Sequence, residues 1–282
     1  MQYQRYRRDW NLEMKFANSR EYDDFVSNAI LGNLKKEVTT EYKNIMLFAQ
    51  PKSASLYFHH LLAQCLDFKQ AEIGFNNGGG TLYYPRAIAL KYLEQNTVSH
   101  CHSPGNKMTQ KIVDNLEFKP IVLTRNILDA LVSRRDMMVR EARRGKTVCA
   151  QIEGDDVQRF LDMNLDEQLT VTAKIFAPEY IYFCKSWRDA QKKYGDKIFF
   201  TTYEDVTRKP VPLIQNIAKW LDVPIPTEEK INELVGCVSQ NGGINFNKGL
   251  IGRGRKLKKE HIQIVQDAAD LFNIKDKSFL GL

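Results

Sequence analysis

Apolar side chains in this chain fall into two alternating patterns, short unbroken runs and longer stretches in which they return every three or four residues. Ile45-Met46-Leu47-Phe48-Ala49 is the first unbroken run and reads as a strand buried on both faces. It stops at the polar turn Gln50-Pro51-Lys52-Ser53-Ala54-Ser55. Beyond the turn, Phe58, Leu61, Leu62, Cys65 and Leu66 recur at the spacing of one helical stripe. The succession repeats in Pro120-Ile121-Val122-Leu123-Thr124, its exit Arg125-Asn126, and the stripe Ile127, Leu128, Leu131, Val132 and Met138, with Asn126 as N-cap and Asp129 three residues on. Thr97 to Cys101 is a shorter strand-like run that reaches a proline turn at Pro104. Ile198 to Thr202 reads as another buried strand, with the acidic exit Tyr203-Glu204-Asp205 and a helix carrying Leu213, Ile214, Ile217, Ala218 and Leu221, closed by Asp222-Val223-Pro224.

Strand, turn and helix in repeated order predict an α/β fold, a central parallel sheet between two helical layers. Ligands then bind outside the carboxyl ends of the strands. The candidate motifs lie between residues 45 and 256, and neither a proline- or serine-rich linker nor an internal repeat interrupts them, so the 282 residues read as one domain. Residues 1–43 and 140–178 are expected to be peripheral or acceptor-side elements. Arg140 to Pro178 is weakly patterned and precedes a helix containing Trp187, and Gly74 to Pro85 is a glycine-rich loop with aromatic residues.

Each strand exit carries groups suited to anion chemistry. Lys52 sits where a strand gives way to a helix, so unpaired backbone N–H groups, the helix dipole and an ammonium converge on one place. The turn lacks the glycines of G-x-x-x-x-G-K-[ST], with Gln50-Pro51 standing before Lys52-Ser53. Arg125 closes the next strand, and Ser133 lies almost above Asn126 at a hundred degrees per residue, so guanidinium and hydroxyl can reach one ligand from the same side. In an extended segment His100 and His102 point the same way, and histidine is the side chain suited to proton transfer near neutral pH. H-x-H is also a zinc spacing, but with His59, His60 and His261 as the other histidines and no completing Cys or Glu motif, no metal is expected. Phe246 to Lys256 is a basic, glycine-bearing segment that can fold over an anion.

Taken together these segments resemble the sulfotransferases that use 3'-phosphoadenosine 5'-phosphosulfate (PAPS). Pro51-Lys52-Ser53-Ala54-Ser55-Leu56-Tyr57 is similar to the family's P-K-S-G-T-T-W. The resemblance implies that this turn wraps the 5'-phosphosulfate, with Lys52 on the leaving oxygen. The stretch from Arg125 to Ser133 is similar to R-[DN]-P-x-D-x-x-x-S, which implies a grip on the 3'-phosphate. His102-Ser103-Pro104 fits the end of K-T-H-x-P, making His102 the acceptor's base, while His100 stands where the family has a lysine that helps hold the sulfuryl group. Tyr203 heads a Y-E-D that places a ring beside the adenine. Asn247-Lys248-Gly249 with Gly252 resembles R-K-G-x-x-G, which closes over the 3'-phosphate; Asn247 replaces the family's arginine, so Arg253 or Arg255 is expected to supply part of the grip. Ala54 and Leu56 depart from the pattern, the second by losing a hydroxyl.

The resemblance implies a P-loop-nucleotide-hydrolase-like sulfotransferase fold and transfer of a sulfuryl group from PAPS, without a metal, to an acceptor hydroxyl on a small molecule, lipid or saccharide. The formal charge of +7 suits a polyanionic donor as well as RNA or an anionic membrane, so it does not choose among them. No RNA-binding signature or membrane-spanning run accompanies it, and neither a nucleic-acid partner nor stable membrane insertion is expected. Five cysteines without framework spacing and a first segment lacking a signal peptide's apolar core suggest the cytoplasm. Two other readings stand beside this one. A kinase-like phosphotransferase using a nucleoside triphosphate needs the missing glycines and a magnesium-binding Asp, for which Asp205 is the candidate. A non-catalytic basic protein binding nucleic acid or membrane would bind with steep salt dependence.

Overall fold

The computed structural model describes residues 41–72, 82, 95–145, 152, 154–240 and 250–282. Within them, β1 (Asn44–Ala49), β2 (Lys69–Glu72), β3 (Thr97–Cys101), β4 (Lys119–Thr124) and β5 (Phe199–Thr202) form one sheet in the order β2-β3-β1-β4-β5. Every pairing is parallel, with Phe48 beside Cys101 and Val122. The carboxyl ends of β1, β3, β4 and β5 therefore open on one edge of the domain, where the sequence places its candidate chemistry.

The period of two along β1 assigns its side chains to separate cores. Met46 and Phe48 pack with Ile127, Leu131 and Met138 of α3 (Ile127–Ala142), with Tyr180 and Trp187 of α5 (Leu165–Tyr194), and with Val265 of α9 (Lys259–Leu271). Ile45, Leu47 and Ala49 face the other way, against Phe58, Leu61 and Leu62 of α1 (Ser55–Leu66), Ile214 and Ile217 of α7 (Pro210–Leu221), and Ile231 of α8 (Glu228–Gln240). All six β1 side chains are buried. Full burial of a large apolar side chain contributes roughly 1.5–3 kcal/mol, so this strand anchors both layers. The three-layer α/β/α expectation is met.

Several elements differ from their sequence reading. Arg140 to Pro178 is largely helical: Arg140 belongs to α3, α4 (Asp155–Asp162) follows, and Pro178 lies inside the 30-residue α5, on the same helix as Trp187. The stripe of α5 is blurred because the helix packs against both α3 and α9, so small and polar residues such as Gln168, Thr172 and Ala177 are buried beside Phe176 and Tyr180. Its start was nonetheless written in the sequence. Asn164 accepts from the N–H groups of Asp166 and Glu167, and Glu167 returns to the Asn164 N–H, a capping box. β5 proves to be an edge strand, with Thr201 alone fully buried. Four elements had no expectation: β2, whose sequence Lys-Gln-Ala-Glu has no apolar run, α2 (Lys107–Asn115), capped by Asn106, and the helices α8 and α9.

Among the described residues no helix is long and apolar enough to cross a membrane. Asn247-Lys248-Gly249, and the Gly74–Pro85 loop apart from Leu82, lie outside the described residues.

Candidate active site

Gln50 joins the exits of β1 and β4. Its N–H donates to the Leu123 carbonyl at 2.8 Å, and its side-chain carbonyl accepts from the Arg125 N–H at 2.9 Å. This pair of bonds brings the Lys52 turn against Arg125, a residue 73 positions further along. The turn then folds on itself, the Ser53 N–H and hydroxyl both donating to the Gln50 carbonyl at 3.2 and 2.6 Å. Lys52 and Ala54 adopt left-handed conformations, with φ of 71° and 63°. Such a backbone costs a residue with a Cβ on the order of 1–2 kcal/mol. At position 54 the resembling pattern has glycine, which carries no such cost; this chain holds the conformation with alanine. Ser55 and Tyr57 are buried at the start of α1, Leu56 half-buried between them.

Arg125 is the hub of the site. Its Nη1 donates to the Lys52 carbonyl and its Nη2 to the Leu250 carbonyl, each at 2.9 Å, while its guanidinium lies 3.8 Å over the Tyr203 ring. Asp129, one turn along α3, stands 3.8 Å from the same guanidinium. The carboxylate also accepts from the Gly252 and Gly254 N–H groups at 2.8 and 2.7 Å, which docks the basic segment on the start of α3. The approach is close enough that a Cβ on Gly254 would lie 2.6 Å from the Leu128 Cβ. Arg253, in the 3-10 turn Arg253–Lys256, pairs with Asp136 of α3. Ser133 is buried on α3, one turn beyond Asp129. Lys52, Arg125, Tyr203 and Arg253 are thus gathered around the strand ends.

Lys52 Nζ lies 3.5 Å from the Met137 sulfur. Burial, and after it the fields of Arg134, Arg140, Arg125 and Arg253, lower its pKa to about 8. The ammonium therefore persists at neutral pH in a strongly cationic neighbourhood.

His102 follows the end of β3, and its Nδ1 is 2.6 Å from the Ala49 carbonyl. A carbonyl only accepts, so Nδ1 carries the proton and Nε2 presents a lone pair. The expected pKa near 7 is not what the surroundings produce. Burial, opposed by the Ala49 hydrogen bond and reinforced by Arg134 and Lys52, holds His102 at about 4. His100, its ring 5.9 Å from that of His102, is buried and held well below 6.5, first by burial and then by neighbouring histidines. It is neutral, and supplies no charge in the place where the resembling pattern has lysine.

His59 continues the row at 5.1 Å from His100, donating from Nε2 to the Val98 carbonyl, and burial lowers it to about 4. These histidines have a stability consequence. Their folded pKa values lie below the unfolded value of 6.5, so between pH 6.5 and 4 the unfolded chain binds protons that the fold refuses. Their contribution is complete above pH 6.5 and drains away as the pH falls through that window, by on the order of 3 kcal/mol for His59. Denaturant midpoints should fall steadily from pH 7 to pH 4.5, and His59→Gln should flatten the slope; a flat wild-type profile would contradict the neutral burial.

Gln50, Asp129, Arg134 and Tyr180 have positions in this site that the sequence reading did not assign. Asp129 was visible as the fourth residue after Arg125; Gln50, Arg134 and Tyr180 carry no spacing signal. Asp205 accepts from the Thr202 hydroxyl at 2.7 Å and from its N–H at 3.3 Å, capping α6 (Tyr203–Arg208). No group of three or more His, Cys, Asp or Glu placed to hold a metal occurs among the described residues.

Residues 43–242 match the family model described as the sulfotransferase domain. The chain belongs to the sulfotransferase domain family. Its fold is similar to that of mouse sulfotransferase SULT7A1 complexed with PAP, at 13% identity and a TM-score of 0.61, over 90% of each chain. It is also similar to retinol dehydratase in complex with androsterone and the inactive cofactor PAP, at 15% identity and a TM-score of 0.52, over 91% of this chain and 86% of the other. No curated protein matches the sequence. At these identities the structural likenesses speak for the sulfotransferase fold, with its parallel sheet, and the family match for sulfotransfer itself.

Proposed function

We propose that this sulfotransferase takes its sulfuryl group from PAPS and delivers it to the hydroxyl of a small-molecule, lipid or soluble saccharide acceptor. The observation that carries the donor assignment is a set of buried polar donors without partners among the described residues: Gln50 Nε2, Arg125 Nε and Arg253 Nη1, all at the strand ends. Buried donors are paired in nearly all folded proteins, so such a concentration marks a place for an acceptor-rich ligand. A nucleotide bearing phosphate groups at two positions has the oxygens and the charge to fit it.

PAPS supplies a sulfuryl group activated by its bond to the 5'-phosphate. In this reading the Ala54 and Ser55 amides and the Ser55 hydroxyl hold the 5'-phosphate and Lys52 stands at its bridging oxygen. Arg125, Ser133, Arg253 and the Asn247-Lys248-Gly249 segment hold the 3'-phosphate, Tyr203 flanks the adenine, and His102 takes the acceptor's proton. The androsterone and PAP of the retinol dehydratase complex support a hydroxyl-bearing acceptor beside this nucleotide. Against the triphosphate alternative, Asp205, its magnesium candidate, engages Oδ2 in the α6 cap.

Thermal unfolding tests the donor. PAP should raise Tm by several degrees at a concentration a hundred times its Kd, a linkage of about 2.7 kcal/mol, while AMP should act far more weakly because Arg125 and Ser133 then lack the 3'-phosphate. Equal shifts from the two nucleotides would remove the 3'-phosphate assignment, and a larger shift with ATP and magnesium would favour the kinase reading.

A further inference from the structure

Arg134 is the charged group of this site with no assigned task. It follows Ser133 on α3, and its guanidinium stacks 4.1 Å over the Phe176 ring of α5. Tyr180 lies one helical turn beyond Phe176, with ring centroids 6.2 Å apart. Arg134 Nε and the Tyr180 hydroxyl are both buried and without hydrogen-bond partners among the described residues. The stacking therefore holds the guanidinium without using its directional N–H groups. Three residues along the same helix, Met137 contacts Lys52 Nζ, so Arg134 and the Lys52 ammonium meet the same stretch of α3.

The location relative to the reacting groups is the second observation. Arg134 is the leading charge acting on Lys52 and also the leading charge acting on His102. The two groups thus share one charged neighbour, which stands on the stretch of α3 whose Met137 touches Lys52 Nζ. In-line transfer places the sulfur between the leaving oxygen at Lys52 and the entering oxygen at His102, the two groups on which this charge acts. The neutral His100 cannot provide charge there.

We propose that Arg134 is a catalytic residue that donates hydrogen bonds to the non-bridging oxygens of the sulfuryl group as it passes from donor to acceptor. This rests on the PAPS reading above. His102 Nε2 takes the acceptor's proton while the acceptor oxygen bonds to sulfur; the sulfur–oxygen bond to the 5'-phosphate breaks, and its electron pair stays on the phosphate oxygen beside Lys52. Arg134 serves the three oxygens that remain on sulfur throughout. A planar fork of N–H groups suits them better than a point charge.

The test compares PAPS with PAP by calorimetry, because only PAPS carries the sulfuryl oxygens. R134Q should bind PAP within about threefold of wild type and lose about tenfold in affinity for PAPS. Arg134→Lys should keep PAP binding and recover part of the preference for PAPS; it also serves as the decisive variant if R134Q does not fold. Loss of the charge should in addition raise the His102 pKa, read from its imidazole resonances, which a packing role alone would not move. An unchanged PAPS-to-PAP ratio in the variants overturns the proposal while leaving the donor assignment standing. So does a defect confined to the acceptor's KM, which would place the guanidinium on the acceptor. Failure of wild type to bind PAP overturns both.

Discussion

Lys52→Ala should lower turnover by about a thousandfold while changing PAP affinity only a few-fold, the signature of a contact that strengthens as charge develops. The geometry explains why affinity is spared. Backbone amides of the turn, Arg125 and the docked basic segment remain, and the Lys52 carbonyl that receives Arg125 Nη1 belongs to the backbone, which the substitution leaves in place. Ammonium and leaving oxygen, by contrast, interact most strongly once the bond to sulfur has broken. Burial among arginines lowers the lysine to about 8, which keeps it protonated at pH 7 and sharpens its action in a poorly solvated site. Measuring kcat beside calorimetric PAP affinity separates the two roles. A variant that loses affinity and turnover in equal proportion would make Lys52 an anchor for the nucleotide and nothing more.

The sequence displayed the frame of this site because parallel sheets are buried on both faces, so β1 and β4 appear as apolar runs with their polar exits attached. Lys52 and Arg125 stood out at those exits, while His102 was singled out from His100 only by the resemblance of His102-Ser103-Pro104 to the family pattern. Long-range partners were not legible. Nothing local in Gln50 says that it bridges two strand exits, and nothing in Arg134 distinguishes it from Arg135 beside it, which pairs with Gln168 and Asp136. The acid–base properties were hidden for the same reason. The row His59, His100 and His102 forms only when α1 packs against β3, and the resulting burial moves His102 far from the value its residue type suggests. Pro178 misled in the opposite direction, because a helix held on two sides tolerates a proline that would break it in isolation.

That shift of His102 frames the remaining large effect. At about 4 the free protein's imidazole is a weak base, but two of the forces that depress it are the charges of Arg134 and Lys52. A bound polyanion neutralises those charges, so PAP should raise the His102 pKa towards the neutral range; the sign follows from removing repulsion against imidazolium. The imidazole stays deprotonated at pH 7 and gains proton affinity when the donor site is filled, the state in which a base is needed. His102→Asn should therefore cost a hundredfold or more in turnover with PAP affinity preserved, the usual size for a positioned base. His100→Asn should cost far less, since a neutral ring with no partner on Nε2 contributes neither charge nor proton transfer. His100→Lys is expected to be tolerated, on the pattern the sequence resembles. Imidazole titration with and without PAP, followed by turnover of the variants, decides the matter. Near-normal turnover in His102→Asn together with a dead His100→Asn would exchange the two roles and move the acceptor hydroxyl two residues back along β3.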